Sequence, residues 1–294
     1  MDAAERRDAA ERRDDDDPVV LRAVAEQLAA EAAAFVRTRR SEVFGASSGD
    51  AATGAVAAKS TPTDPVTVVD TETERLLRDR LAEYRPGEQI LGEEGGGVAD
   101  AGAGQLTWVL DPIDGTVNFV YGIEAYAVSV AVQRDGESVA GAVADVAADA
   151  VYSAARGRGA QLRRHGAVRA LRCNALERLA MALLGTGFAY APERRRRQAE
   201  LLVELMPRVR DVRRIGSCAL DLCMVAAGQL DAYYEDGVNV WDWAAGALVA
   251  AEAGAVVSLP TPAGAIGGAG LVIAAAPGIA AELDEALRSA GVRA

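Results

Sequence analysis

Two aspartates lie close together at the end of an apolar run, in the segment Asp111-Pro-Ile-Asp-Gly-Thr116. The run 108–110 before them is typical of a buried strand, and strands commonly deliver carboxylates to a site at their carboxyl ends. Two acidic side chains so near each other repel unless a cation lies between them, and a hard divalent cation with oxygen ligands suits them. Gly115 and Thr116 could then open a helix whose N–H groups face an anion. The segment therefore predicts a metal-dependent phosphate site.

Three further stretches place acids beside apolar or helical segments. They are the segment 59–70 with Lys59, Asp64 and Asp70, the Gly-Glu-Glu sequence with Glu93 and Glu94, and Trp241-Asp242 at the predicted start of a helix. Each alone has an ordinary explanation, since an aspartate at a helix start is most often an N-cap and acids in a glycine-rich loop are most often solvated. Three of the four clusters place acids where an apolar strand ends or a helix begins, which favours a shared site.

The net charge and the scarcity of histidine limit the kinds of ligand and partner that the protein can bind. The formal net charge is −12, of which residues 1–17 carry −4 and the remaining residues −8. An acidic surface argues against direct nucleic-acid binding, which requires positive charge. His165 is the only histidine, which argues against phosphohistidine chemistry and multi-histidine zinc sites. Carboxylates must therefore hold any metal, which indicates Mg²⁺ or Mn²⁺.

The chain lacks the marks of a membrane or secreted protein. No uncharged apolar run approaches the ~20 residues that span a bilayer, and charged residues follow Met1 instead of a signal core. Cys173, Cys218 and Cys223 are odd in number and have no metal-like spacing, which is typical of reduced thiols. We expect a cytoplasmic protein without membrane contact.

The sequence predicts a short tail and one catalytic domain. Residues 1–17 contain a six-residue repeat and four consecutive aspartates, a low-complexity composition typical of a disordered tail. Residues 18–294 are predicted to form the domain, with lobes at roughly 18–167 and 168–294. Near residue 168 the predicted run of antiparallel strands ends and predicted helices and strands begin to alternate.

Hydrophobic periodicity predicts alternating layers of helix and sheet, without one regular βαβ series. The predicted helices are 18–44, 70–81, 193–205, 218–227, 241–253 and 279–290. The predicted strands are 89–92, 106–110, 126–134, 139–145, 151–155, 181–184, 231–235, 255–258 and 271–275, and the meander from 126 to 155 is mainly antiparallel. Residues 45–58 are predicted to form an exposed loop, and Asp70 or Thr71 to lie near the N-cap of the second helix.

From residue 21 onward the chain resembles the inositol monophosphatase family, the Mg²⁺-dependent, lithium-sensitive phosphatases of inositol and sugar phosphates, and especially its bacterial members. The paired signatures Asp111-Pro-Ile-Asp-Gly-Thr116 and Trp241-Asp-Trp-Ala-Ala-Gly246 carry the resemblance. The Gly92-Glu-Glu94 sequence and the segment 59–70 match in the expected order. The resemblance implies an α/β fold, the five-layer αβαβα sandwich of the sugar phosphatases, and a homodimer.

The resemblance also implies two to three Mg²⁺ ions in each active site. The implied ligands of the first ion are Glu93, Asp111 and the carbonyl of Ile113. Asp111 would bridge to a second ion held by Asp114 and Asp242, and a third, weaker ion would lie near Glu93. In the same way, Lys59, Asp64 and Glu94 are implied as supporting residues around the metal loop.

The remaining implied roles concern water and substrate. Thr116, hydrogen-bonded to Asp70, would help Glu93 to orient the attacking water, and the N–H groups of Gly115 and Thr116 would hold the phosphate. Glu235 is at the family position that contacts substrate hydroxyls, and Ser217 and Cys218 are in the loop that lines the sugar pocket. Many relatives have alanine at the position of Cys218, which leaves the shape of that pocket less certain than the catalytic set.

The reaction that these implied roles support is hydrolysis of a small phosphate monoester, with myo-inositol 1-phosphate as the leading substrate. Two metal ions supply an activated water and neutralise the charge on the reacting oxygens, so no covalent nucleophile is needed. The alternatives within the class are phosphatases of histidinol phosphate, fructose 1,6-bisphosphate and 3′-phosphoadenosine 5′-phosphate. A further alternative is an accessory role in transcription or ribosome maturation, with a protein partner.

Overall fold

The computed structural model describes residues 15–45, 54–97, 102–261 and 270–291. Residues 1–14 of the predicted tail and residues 46–53 of the predicted loop lie outside the described residues. Residues 15–17 contact the domain: Arg85 binds the carbonyl of Asp15 and the carboxylate of Asp16, and Asp17 caps the first helix. The division between tail and domain stays a prediction.

Seven α-helices and fifteen strands are found in the described residues. The helices are α1 (Pro18–Phe44), α2 (Val68–Tyr84), α3 (Thr116–Tyr121), α4 (Pro192–Leu205), α5 (Cys218–Ala226), α6 (Val240–Glu252) and α7 (Ala280–Ser289). The first strands are β1 (Val56–Ala58), β2 (Pro65–Thr67), β3 (Gln89–Gly92), β4 (Gly96–Gly97), β5 (Leu106–Asp114), β6 (Ala127–Arg134), β7 (Glu137–Asp145) and β8 (Ala150–Ala155). The others are β9 (Ala160–Arg164), β10 (Ala167–Ala170), β11 (Leu183–Thr186), β12 (Asp211–Arg213), β13 (Ala232–Asp236), β14 (Val256–Ser258) and β15 (Leu271–Ala275). None of the described helices is both long and apolar enough to cross a membrane.

The strands form two large sheets that lie between layers of helix. The first sheet has the order β10-β9-β8-β7-β6-β5-β3-β4, and the second has the order β12-β11-β13-β15-β14. One apolar cluster joins α1 and α2 to the first sheet, a second fills the space between the sheets around α5 and α6, and a third joins the second sheet to α4 and α7. The layers therefore follow the predicted order α, β, α, β, α, and the α/β sandwich is confirmed.

A bulge in β5 places both aspartates of the central motif at one site. Asp111 pairs with Ser129 and Asp114 pairs with Ala127, so three steps on β5 are matched by two on β6. In a regular strand, residues an odd number of positions apart point to opposite faces. The extra residue at Pro112-Ile113 breaks that alternation, and proline suits a bulge because it has no N–H to donate. The strand itself is longer than the predicted 106–110 and includes both aspartates.

Helix α2 begins earlier than predicted and brings a buried acid to the site. Thr67 is the N-cap, and its hydroxyl accepts the N–H of Val69 while Asp70 accepts the N–H of Thr67 in return. This reciprocal capping box makes Asp70 the third helical residue, so the prediction of Asp70 or Thr71 near the N-cap was three or four residues late. The box holds the Asp70 carboxylate in a fixed place within the protein.

Several short elements were missed because their sequences carry little periodicity. The predicted loop 45–58 ends in β1, which pairs with β2, and both strands have only three residues. The strands β9 and β10 continue the first sheet as a hairpin with exposed polar positions. The predicted lobe boundary at 167/168 falls inside β10, so the first sheet extends to residue 170.

Candidate metal centre and active site

Three aspartates from distant parts of the chain meet beside the end of β5. One oxygen of each of Asp111, Asp114 and Asp242 lies within 4.8 Å of the others. Asp111 is 1% exposed and Asp114 is 9% exposed. Asp242 belongs to α6, more than a hundred residues further along the chain. The site therefore lies where the first sheet meets the helical layer between the sheets.

The start of α6 is fixed so that Asp242 reaches this cluster. One carboxylate oxygen of Asp242 accepts the N–H of Asn239 at 2.5 Å in a second capping box. The carbonyl of Trp241 accepts a hydrogen bond from the Ser129 hydroxyl at 3.2 Å, which joins the helix start to β6. Asp242 thus caps its own helix and faces Asp111 and Asp114.

Local hydrogen bonds also fix the two aspartates of β5. Asp111 Oδ1 accepts the N–H of Ile113 at 3.0 Å. Asp114 Oδ2 accepts the Ser217 hydroxyl at 2.6 Å and the N–H of Ala219 at 2.7 Å, which connects β5 to the start of α5. Ser217, predicted as part of the sugar pocket, lies behind Asp114 and caps α5.

The electrostatics of this cluster fit a divalent cation. Burial raises the pKa of Asp111 well above its ordinary value, and Glu93, Asp114 and Asp242 raise it further. Burial, Glu93 and Asp114 likewise raise the pKa of Asp242, and burial raises the pKa of Asp114 to about 6. Buried like charges are costly until an opposite charge neutralises them. Carboxylate oxygens are the ligands that hard divalent cations prefer.

Glu93 and Glu94 both form ion pairs with one lysine. Lys59 Nζ donates to Glu93 Oε1 at 2.7 Å and to Glu94 Oε1 at 2.5 Å. Burial lowers the pKa of Lys59, but the two glutamates outweigh this and raise it above its ordinary value, so the ammonium stays charged. Asp64 accepts from the Ser60 hydroxyl at 2.6 Å and shapes the turn that carries Lys59. The segment 59–64 therefore lies against the Glu93 loop, and the supporting role that the resemblance implies for it stays a prediction.

Thr116 lies between Asp70 and the central motif. Its hydroxyl contacts Asp70 Oδ1 at 3.2 Å and the carbonyl of Ile113 at 3.0 Å. Asp70 is fully buried, which raises its pKa to about 6, and its bonds from Thr67 act in the opposite direction. The predicted pairing of Thr116 with Asp70 is present, and Thr116 is the first residue of α3, with Gly115 as its N-cap.

A cavity of about 290 Å³ brings the predicted residues together. Its walls include Lys59, Asp64, Glu93, Asp111, Ile113, Asp114, Gly115, Thr116, Cys218, Glu235 and Asp242. Asp70, Glu94 and Ser217 lie behind these walls and contact residues that form them.

Residues 17–291 match the model of the inositol monophosphatase family. The chain belongs to the inositol monophosphatase family. It is therefore a phosphoric monoester hydrolase, and this family is generally metal-dependent. The three-aspartate cluster is consistent with that dependence.

Individual members of the family resemble this chain over most of its length. The inositol-1-monophosphatase of Mycobacterium leprae is 70% identical over 277 residues, covering 93% of this chain and 95% of the relative. The solved structure of Mycobacterium tuberculosis SuhB has 60% sequence identity and a TM-score of 0.80, covering 94% of this chain and 99% of that chain. The Nus factor SuhB of Pseudomonas aeruginosa is 40% identical over 199 residues, covering 66% of this chain and 72% of the relative.

Glu235 and its neighbours form another part of the wall of the same cavity. Tyr233, which is fully buried, donates its hydroxyl to Glu235 Oε2 at 2.5 Å. Burial raises the pKa of Glu235 to about 7, while Tyr233 and Arg214 act to lower it. A Cβ on Gly187 would lie 1.9 Å from Glu235 Oε2, so a side chain there would force the Glu235 carboxylate out of its present position. The buried thiol of Cys218 completes this wall and has a raised pKa.

Residue patterns alone missed several members of this site. Tyr233 lies two residues before Glu235 on β13, so both side chains lie on one face, and this alternation was the available signal. Arg194 lines the cavity, and its Nε lies 3.6 Å from Asp236 Oδ2. Arg214 lines the cavity too, and its place just before the Gly-Ser loop was the available signal.

The metal-free phosphatase is expected to lose stability as pH rises from about 4 to about 7. Asp70 and Asp114 have folded-state pKa values of about 6, above the ~3.9 of an unfolded aspartate. The folded protein thus binds more protons than the unfolded one in this interval, and its stability falls with increasing pH. The destabilisation is absent below pH ~4 and complete above pH ~7.

Thermal unfolding in EDTA at pH values from about 4.5 to about 8 measures this decline. A divalent cation added at the upper end of that range should restore much of the lost stability. The matched protein is Asp111→Asn, which removes one of the repelling carboxylates and should decline less steeply. Equal slopes for the two proteins would contradict the electrostatic explanation.

Proposed function

We propose that this phosphatase hydrolyses myo-inositol 1-phosphate to inositol and phosphate, with Mg²⁺ as its cofactor. The observation that carries the proposal is the set of three aspartates, two of them buried and Asp242 half-buried, within 4.8 Å of one another and in one cavity with Glu93, Thr116 and Glu235. The cavity thus combines carboxylates that could hold a metal with a further carboxylate, Glu235, that could accept from substrate hydroxyls.

The proposed metal ligands are those that the resemblance implies. Glu93, Asp111 and the Ile113 carbonyl would hold one Mg²⁺, and Asp111, Asp114 and Asp242 a second, with a third, weaker ion near Glu93. When bound, the ions would lower the pKa of the attacking water and neutralise the phosphate oxygens. All the carboxylates in this set line the cavity, which supports the assignment.

Thr116 and Glu93 would orient the attacking water. Thr116 directs its only hydroxyl hydrogen toward Asp70 and the Ile113 carbonyl, so its oxygen remains able to accept a hydrogen bond. A water that donates to Thr116 and to Glu93 has both hydrogens engaged, and its lone pair is left to face phosphorus. Asp70 contributes by fixing the Thr116 hydroxyl, and burial keeps this pair apart from bulk water.

The two ends of the substrate would contact different parts of the chain. The N–H groups of Gly115 and Thr116 are at the start of α3, where the first helical N–H groups have no partner within the helix, and would bind phosphate oxygens. Gly115 has φ 96°, a left-handed conformation that favours glycine. At the other end, Glu235 would accept hydrogen bonds from inositol hydroxyls, with Ser217 and Cys218 in the loop beside it.

A parallel assay of four substrates tests the proposal. We expect inositol 1-phosphate to have the highest kcat/KM, because Glu235 supplies an acceptor for vicinal hydroxyls. The others are histidinol phosphate, fructose 1,6-bisphosphate and 3′-phosphoadenosine 5′-phosphate. If any of them is turned over a hundredfold more efficiently than inositol 1-phosphate, the substrate assignment is wrong. Omission of Mg²⁺ from the same assay should abolish turnover.

Two further properties stay predictions from family membership. Lithium should inhibit, because Li⁺ could replace the more weakly held Mg²⁺, and the protein should be a homodimer. A lithium titration of the assay and sedimentation of the purified protein test these separately.

The name of the Pseudomonas relative favours a second candidate, an accessory role with a protein partner. That name belongs to the relative, and this chain keeps a carboxylate at every proposed acidic ligand position, which an interaction role alone does not require. Recovery of RNA polymerase with Asp111→Ala from cells would support the second role independently of catalysis.

A further inference from the structure

Helix α2 carries two buried acids on one face, and only one of them has a place in the proposed mechanism. Asp70 and Glu74 are four residues apart, so their side chains lie one above the other. Asp70 is 0% exposed and Glu74 is 2% exposed. Asp70 holds the Thr116 hydroxyl. Glu74 contacts neither the metal cluster nor the substrate cavity, and a buried acid requires an explanation.

Glu74 binds the backbone of the loop that presents Glu93. Its Oε2 accepts the N–H of Glu94 at 2.7 Å, and its Oε1 accepts the N–H of Gly95 at 2.8 Å. Arg78 donates to Glu74 Oε1 at 2.8 Å and to the carbonyl of Gly96 at 2.6 Å. Bonds between an ionised carboxylate and backbone N–H groups are among the stronger hydrogen bonds in proteins. The loop after β3 is therefore fixed to α2 at three consecutive residues.

The glycines on either side of the two glutamates follow from this contact. A Cβ on Gly92 would lie 2.3 Å from Glu74 Oε1, and one on Gly95 would lie 2.6 Å from the same atom. Both distances are too short for non-bonded atoms, so a side chain at either position would force the Glu74 carboxylate or the loop out of its present place. The glycines that flank Glu93-Glu94 are thus complements of Glu74.

We propose that Glu74 is a positioning residue for Glu93 and that α2 fixes the two groups that orient the attacking water relative to each other. Asp70 fixes Thr116, and one turn later Glu74 fixes the loop that carries Glu93. The inference rests on the proposed function for the role of Glu93 as metal ligand and water-orienting group. A displaced loop moves Glu93 away from the ion while Asp111, Asp114 and Asp242 stay in place.

Glu74→Gln tests this inference. Glutamine keeps the size of the side chain, but its amide NH₂ takes the place of one carboxylate oxygen. That NH₂ group is a donor and would face another donor, either a loop N–H or Arg78, so one hydrogen bond is lost. We expect kcat for inositol 1-phosphate to fall at least tenfold with KM within twofold. Calorimetric titration with MgCl₂ should show severalfold weaker binding of Mg²⁺ than in the wild type. That measurement does not depend on turnover.

Glu72→Gln is the matched control. Glu72 is on the same helix and binds Arg39 on α1 in a two-point contact, at 2.8 and 3.2 Å, so the substitution breaks an ion pair without touching the loop. We expect Mg²⁺ binding and kcat of Glu72→Gln to match the wild type. If Glu74→Gln equals Glu72→Gln in both readouts and differs only in Tm, Glu74 is merely structural and the inference is overturned.

Gly95→Ala reaches the same loop without changing any charge, and it provides the test if Glu74→Gln does not fold. Its added methyl would separate the Glu74 carboxylate from the loop backbone, whichever of the two moves, so weaker Mg²⁺ binding supports the inference and unchanged binding overturns it. If the wild type proves inactive toward inositol 1-phosphate, the proposed function fails, while the calorimetric comparison still shows whether Glu74 positions the Glu93 loop for Mg²⁺.

Discussion

Asp111→Asn is expected to lower kcat on the order of 1,000-fold in a protein that remains folded. Asp111 interacts electrostatically with Glu93, Asp114 and Asp242, and its proposed position as bridging ligand would make its charge part of both proposed metal sites. Asparagine keeps the shape and can still accept the N–H of Ile113, so the bulge of β5 is preserved. Steady-state kinetics with a Mg²⁺ series measure the loss.

The same substitution should raise the stability of the metal-free protein at neutral pH. The pKa of Asp111 is raised by burial and by three acidic neighbours, so its ionised form opposes folding above the pKa of an unfolded aspartate. Asparagine removes that unfavourable charge. Thermal unfolding in EDTA near neutral pH should therefore give a higher Tm for Asp111→Asn than for the wild type, while the increase in Tm on adding Mg²⁺ becomes smaller.

Asp221→Asn separates this effect from the general effect of removing a buried acid. Asp221 is 1% exposed, and burial raises its pKa as well, but it lies outside the three-aspartate cluster. It should also stabilise the metal-free protein, yet keep the full increase in Tm with Mg²⁺. The ligand assignment fails if Asp111→Asn responds to Mg²⁺ as strongly as Asp221→Asn does.

Local sequence brought most of the candidate residues into view because they are at the ends of regular elements. The bounds of α1 were predicted to the residue, since Asp17, Pro18 and Gly45 are strong start and stop signals. The strands β3 and β15 were also predicted to the residue. The layered α/β sandwich followed from the alternation of helical and strand periods together with the family resemblance.

The contacts that orient the ligands could not be predicted, because they join residues far apart in sequence. Glu74 meets the Glu93 loop twenty residues later, and Asp114 meets Ser217 about a hundred residues later. Hydrophobic periodicity relates only residues a few positions apart, so it cannot predict contacts between such distant pairs. The bulge of β5 is a similar case: sequence placed two aspartates near a strand end, but only the register with β6 shows that they share a face.

Asp242→Asn should also reduce kcat by roughly two to three orders of magnitude, and its helix cap should survive. Asp242 combines an observed contact with a proposed role: Oδ2 accepts the N–H of Asn239, and the carboxylate charge would help to hold the second metal ion. Asparagine can still accept that N–H through its amide oxygen, so α6 should begin at the same residue. The charge at the proposed second metal site is lost.

Comparison with Asp242→Ala distinguishes the loss of the helix-capping hydrogen bond from the loss of the carboxylate charge. Alanine removes both the charge and the hydrogen bond from Asn239, so it should lose the same activity and, relative to Asp242→Asn, a further ~1 kcal/mol of unfolding free energy, the typical net value of one hydrogen bond. Chemical denaturation in EDTA measures the cap, and Mg²⁺-dependent turnover measures the charge. A folded Asp242→Asn protein with nearly normal Mg²⁺-dependent activity would refute the second metal site, and with it the requirement that α6 and β5 meet for catalysis.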